Sequence, residues 1–279
     1  MLPFMGNEAF GNASSPHARG RLVSRAVERA RAQVSNLVKT EPQQVVFTSG
    51  ATEALNTVLK GLAAVRPAGR DVLVVSAVEH KAVLETAVYL HRACGVRVVV
   101  VAPSGCGQIT TDAVGAALDE HAGEVFALAV MAVNNETGVV QPFDQIAAIA
   151  ADRGVQYVCD ATQAVGFGLP QVGLLPGATF AALSAHKIQG PQGVGALVMP
   201  PRSLRPPIVP LIHGGGHEQD VRAGTINVPG VVGFGSASEH AAHDPGQRAD
   251  RLKQLRKRLL NALADAVGAE PTVRENLAP

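Results

Sequence analysis

The 279-residue sequence predicts an α/β fold: a mainly parallel, seven-stranded-type sheet sandwiched by helices, followed by part of a smaller domain. Three observations predict it. Short apolar runs bounded by turn residues alternate with amphipathic stretches of ten or more residues, the pattern of parallel strands joined by helices. Polar side chains able to do chemistry collect just after the apolar runs, at the strand ends where open α/β sheets bind ligands. A 47% hydrophobic share over this length supplies a sizeable core.

The elements follow in order. Residues 1–15, rich in Gly, Asn and Ser, read as an N-terminal loop segment. Leu22, Ala26, Ala30, Val34 and Leu37 recur at helical spacing across Arg19 to Lys39, and Glu41-Pro42 ends that helix. Val45 to Phe47 is a strand. Thr48-Ser49-Gly50 turns into a helix from Ala51 to about Val65, a junction that aims free backbone N–H groups of Ala51 and Thr52 and the helix dipole at one anion site. Asp71 to Ser76 is a strand, with His80 ahead of a helix over Ala82 to Ala93. Val96 to Val101, Val125 to Val133 and Val155 to Cys159 read as strands, with helices over Thr111 to His121 and Pro142 to Arg153. Phe180 to Leu183 is a strand that delivers Lys187 into a Gly/Pro-rich turn, with Ala196 to Met199 as its hairpin partner. Val228 to Ala242 is a helix. Pro245 to Val267 is an amphipathic helix with Leu252, Leu255, Leu259 and Leu263 on one stripe. The domain reading is 16–243 for the main unit and 244–279 for the start of the smaller one.

A formal net charge of +1 gives no electrostatic reason to expect nucleic acid or an anionic membrane surface as a partner. Apolar runs are strand-length, so no transmembrane helix is expected, and the first residues lack a signal-peptide pattern. Cys94, Cys106 and Cys159 have neither metal-ligand nor disulfide spacing. No metal site is expected, and a reducing, cytoplasmic compartment is the simplest setting.

The polar strand-end set suits pyridoxal phosphate, a cofactor that needs a lysine, a carboxylate for its ring nitrogen, a phosphate cup and a flat group against the ring. Lys187 is the candidate Schiff-base lysine, and Asp160 the partner of the pyridine nitrogen. Thr52, Ser184, His186 and Thr225 suit the phosphate, His80 the ring face, and Asn135 and Gln163 the ring's 3-oxygen. Each residue also has a plainer reading. Lys187 reads as a snorkelling lysine, Asp160 as a helix N-cap and His80 as a surface histidine before a helix. Asn134 and Asn135 read as a turn pair, Thr52 as an ordinary first-turn residue and Cys159 as a small buried strand residue. No Gly-x-Ser-x-Gly elbow, Walker loop or dinucleotide glycine motif competes.

Seven segments together resemble the cysteine desulfurases, pyridoxal-phosphate enzymes of the class V aminotransferase family and fold type I. They are Phe47-Thr48-Ser49-Gly50-Ala51-Thr52-Glu53, Glu79-His80-Lys81, Val133-Asn134-Asn135-Glu136-Thr137-Gly138, Asp160-Ala161-Thr162-Gln163, Ser184-Ala185-His186-Lys187, His213-Gly214-Gly215-Gly216 and Arg222-Ala223-Gly224-Thr225. The resemblance implies conversion of L-cysteine to L-alanine, with sulfur held on the enzyme and passed to an acceptor or scaffold protein for iron–sulfur cluster or thio-cofactor assembly. It implies Lys187 and His80 as catalytic groups and a homodimer in which Thr225 reaches the neighbouring subunit's phosphate. The family's catalytic cysteine and its substrate-carboxylate arginine correspond to positions past Pro279, and its first strand to positions before Met1. The sequence is thus read as truncated at both ends, with a non-catalytic remnant that partners a full-length desulfurase as the alternative and a β-lyase as a third option.

Overall fold

A computed structural model describes residues 1–6, 11–166, 179–243 and 245–267. Its seven strands are β1 (Val45–Thr48), β2 (Val72–Ser76), β3 (Arg97–Val101), β4 (Val125–Ala129), β5 (Gln156–Asp160), β6 (Thr179–Ser184) and β7 (Gly195–Val198). The helices are α1 (Ala18–Leu37), α2 (Ala51–Val65), α3 (Lys81–Cys94), α4 (Thr111–Glu120), α5 (Phe143–Asp152), α6 (Val228–Ala242) and α7 (Pro245–Val267). The strands form one sheet in the order β1-β7-β6-β5-β4-β2-β3. The pairs β2–β3, β2–β4, β4–β5 and β5–β6 are parallel, and β7 runs antiparallel to both β1 and β6. This is the mainly parallel helix-covered sheet expected from the alternation of runs.

Each strand serves two cores because successive side chains face opposite sides. Val45, Phe47, Val72, Val74, Tyr157, Cys159, Ala181 and Leu183 join buried residues of α1, α4, α5 and α6. Val46, Leu73, Val75, Val158, Phe180 and Ala182 join those of α2 and α3. The central strands are buried on both faces, which explains why they read as continuous apolar runs rather than alternating ones. Chain order reverses between β2, which pairs with the later β3 on one side, and β4 on the other. That is the switch point where such sheets open a ligand crevice.

One strand is shorter than its sequence suggests. The apolar run from Val125 to Val133 pairs as β4 only to Ala129. Beyond it the backbone still donates to β5, through Val130 N to Val158 O and Ala132 N to Asp160 O. On the opposite side the Met131 N–H turns to the Glu79 carboxyl group instead of β2. A side chain has taken over the ladder position, which periodicity cannot reveal.

The β1 edge is pinned by a buried ion pair. Arg31 of α1 makes two hydrogen bonds to Glu218, at 2.8 and 2.7 Å, and a third to Val45 O at 2.8 Å. Glu218 Oε2 also accepts the Phe47 N–H at 2.6 Å. Both side chains are nearly inaccessible, so truncating one strands the other's charge. Arg31→Met is therefore expected to destabilise the fold by about 3–5 kcal/mol, measured by denaturant unfolding.

Candidate active site

The C-terminal ends of β1, β2, β4, β5 and β6 open onto a cavity of about 500 Å³. Ala51, Thr52, His80, Asn135, Asp160, Gln163, Ser184, His186 and Lys187 all line it, so nine of the ten residues expected from the sequence meet in one place. Thr225 does not: it is exposed and outside the lining of its own chain's cavity. Ser49, Gly50, Glu53, Met131, Val133, Thr162, Gln192 and Gly193 complete much of the wall.

The anion end is built where β1 turns into α2. The first intrahelical bond there is Ala54 N to Gly50 O, which leaves the earlier amides of the helix free. Ser184 Oγ, at the end of β6, lies 2.8 Å from Nδ1 of His186 in the turn that follows, an oriented pair. Close backbone contact holds the two sides together. A Cβ on Gly195 would lie 2.4 Å from Leu183 O and 2.6 Å from Gly50 Cα, so only glycine fits between β6 and the cradle.

Glu53, in the first turn of α2, would oppose an anion if left bare. Ser49 N–H donates to one of its oxygens at 2.8 Å, and Arg222 Nε donates to the other at 2.9 Å. Burial alone would raise its pKa, but the bonds from Arg222 and Ser49 outweigh this and hold the carboxyl below its ordinary 4.5. The same ion pair ties the Arg222–Thr225 loop to the helix start. The Arg222-Ala223-Gly224-Thr225 segment was legible as a motif, but this distant acidic partner was not.

The opposite end is acidic. Asp160, at the last position of β5, is buried, and its Oδ1 accepts the Thr162 N–H at 3.0 Å. It caps a turn rather than a helix, and it also lines the cavity. Lys187 leaves the adjacent β6 through a short 3₁₀ turn, Ala185–Ile188, and makes no ion pair among the described residues. Parallel pairing of Asp160 with Ala182 places the acid and the lysine at one sheet edge.

His80 caps a helix and also lines the cavity. It is the N-cap of α3, with Nδ1 accepting the Ala82 N–H at 3.1 Å. With Nδ1 accepting, the neutral ring carries its proton on Nε2. The Asn134-Asn135 pair divides its labour similarly. Asn134 Oδ1 accepts from the backbone of Glu136 and Thr137 and from the Thr137 hydroxyl, while its Nδ2 donates to Val78 O. Asn134 thereby shapes the loop that presents Asn135.

The sequence model of the class V aminotransferases matches residues 5–276. The chain belongs to the class V aminotransferase family. Among curated members, it is 41% identical over 263 residues to the cysteine desulfurase IscS of Anaeromyxobacter dehalogenans, covering 94% of this chain and 64% of that protein. It is 40% identical to the corresponding protein of Serratia proteamaculans, covering 92% and 62%. The chain thus spans less than two thirds of the length of these relatives. A NifS-like protein superposes with a TM-score of 0.88 at 34% identity, covering 95% of this chain and 70% of that one. DndA from Streptomyces lividans gives 0.83 at 38% identity, covering 94% and 73%. A structure of SspA in complex with cysteine gives 0.77 at 34%, covering 85% and 67%.

Because the Glu53 pKa is depressed in the folded chain, its contribution to stability is fully present above 4.5 and is lost as pH falls through the folded value. Glu53→Gln is expected to lower the Tm at neutral pH, and the difference from the parent to shrink on acidification below 4.5. Thermal melts at neutral and acid pH check both.

Proposed function

We propose that this cavity is the cofactor site of a pyridoxal-phosphate-dependent cysteine desulfurase. The observation that carries the reading is that Lys187 and Asp160, from neighbouring strand ends, line one cavity whose other end is an anion cradle. The donor set fits that cofactor: an amine for an aldehyde, a carboxylate for a ring nitrogen, and helix amides with a serine–histidine pair for a phosphate. Similarity to proteins named as cysteine desulfurases, and to one solved with cysteine bound, supports the substrate class. It also favours an enzyme over a non-catalytic remnant.

In this reading Lys187 would hold the cofactor at its aldehyde carbon and would carry a proton at the substrate. Asp160 holds the proton on the ring nitrogen. The amides of Ala51 and Thr52 would bind the phosphate with Ser184 and His186, and Asn135 and Gln163 would hold the ring oxygen. His80 would face the ring and would offer Nε2 for proton transfer. When bound, pyridoxal phosphate supplies an electron sink for negative charge developing at the substrate's α-carbon. The exposure of Thr225 supports a homodimer in which it serves a neighbouring subunit's phosphate.

Taking sulfur from cysteine needs a thiolate acceptor. Cys94 lies at the end of α3, Cys106 in an exposed turn, and neither lines the cavity. Cys159 is buried beneath the cavity, where burial pushes its thiol far up. The acceptor in this proposal is therefore a thiol other than these three, and the sulfur passes onward to iron–sulfur or thio-cofactor assembly. A cytoplasmic setting belongs to the same reading.

The chain mixed with pyridoxal phosphate is expected to give a visible absorbance band that borohydride removes, with the reduced cofactor mapped to Lys187 by mass spectrometry. Lys187→Ala should lose the band, and a normal band in that variant would sink the assignment. Asp160→Ala should weaken cofactor binding by about tenfold or more, the loss of one bond to a charged group.

A further inference from the structure

Glu79 lies beneath the cavity and has no role in the chemistry above. It is buried, and it sits one residue before His80. Its Oε1 accepts two hydrogen bonds, from the Ser76 hydroxyl at 2.5 Å and from the Met131 N–H at 2.7 Å. Its Oε2 is buried without a hydrogen-bond partner among the described residues. No lysine, arginine or histidine pairs with it there. The groups that face it electrostatically come from β5: Asp160, Tyr157 and Cys159. Asp160 is a carboxyl group, and the other two would also become anionic.

We propose that Glu79 is a positioning residue of this cavity, a neutral carboxylic acid that clamps the ends of β2 and β4 and leaves Asp160 without a competing negative charge behind it. The geometry divides the two oxygens. Oε1, with two donors, is the carbonyl oxygen, and Oε2 carries the proton. An ionised group would leave a bare, buried oxygen beside a second carboxylate, with no cation to offset either. The clamp has visible consequences in the backbone. It ends the β4 ladder at Ala129 by diverting Met131 N, and Met131 lines the cavity. It also fixes the strand end from which His80 caps α3.

Burial pushes the Glu79 pKa up to about 8, with Asp160 adding to the rise against the bonds from Ser76 and Met131. A folded value above the ordinary 4.5 means that the native chain binds the extra proton. The Glu79 contribution to stability is thus fully present below 4.5 and is lost as pH rises from there through about 8, where Glu79 ionises.

The proton state is read on the cofactor-free chain, and only the effect on the cofactor rests on the reading given above. Melts of the cofactor-free parent between about pH 6 and 9 should show the Tm falling with pH, and Glu79→Gln, which keeps both acceptor bonds as a permanently neutral group, should flatten that slope. Pyridoxal phosphate titrated at neutral pH should bind Glu79→Gln as it binds the parent, and Glu79→Leu, which orphans the Met131 N–H, about tenfold or more weakly. Equal slopes in parent and Glu79→Gln, or a Glu79→Gln chain that fails to fold, would overturn the neutral acid. Parent-like binding by Glu79→Leu would overturn the positioning role. Failure of the parent to bind the cofactor would count against the cofactor reading alone, and the melts would still decide the proton state.

Discussion

The site depends on the register between β5 and β6. Asp160 stands opposite Ala182, and both strands are buried on their two faces. A slip of one residue would turn Asp160 into the core under α1, α5 and α6 and bring Cys159 to the crevice. Parallel strands have no tight turn to set their pairing, so the register is held by side-chain fit alone. Phe180 and Ala182 fill one core, Ala181 and Leu183 the other, and Tyr157 reaches across with its hydroxyl on Val130 O at 2.8 Å. The apolar packing of the sheet therefore aligns the acid and the lysine before any ligand is present.

Around that alignment the polar groups are managed in two ways. At the anion end, the Glu53 charge is kept and matched by Arg222. At the floor, Glu79 has no cation and sits where a charge is costly. Both carboxyl groups belong to the site's surroundings, yet their pKa values move in opposite directions. What separates them is the available partner: a guanidinium in one case, a hydroxyl and an amide in the other.

Much of this architecture was legible in the sequence, because apolar periodicity and turn residues are local signals. The strand–turn–helix at Thr48–Ala51, the lysine at the end of β6 and the acid at the end of β5 all announce themselves within a few residues. What was not legible depends on distant partners. Arg222 lies 169 positions from Glu53, and Glu218 lies 187 from Arg31. The early end of β4 follows from a side chain 52 positions away. Thr225 was assigned to the site by its motif, and the fold leaves it exposed and outside the lining of its own chain's cavity. The small-domain reading of 244–279 runs past Val267, and residues 268–279 lie outside the described residues.

The position of β1 carries a consequence for how the chain is made. Among the described residues it is the first strand in sequence, yet its neighbour in the sheet is β7, the last of them. On a ribosome, β1 and the start of α2 emerge long before residues 195–198 can pair with them, and before Glu218 can lock Arg31. Half of the anion cradle therefore waits with an unpaired strand edge while the interior strands are synthesised, an interval in which β-edge association with other chains competes with folding. The part of the sequence that is translated early is the part whose place in the sheet is settled late.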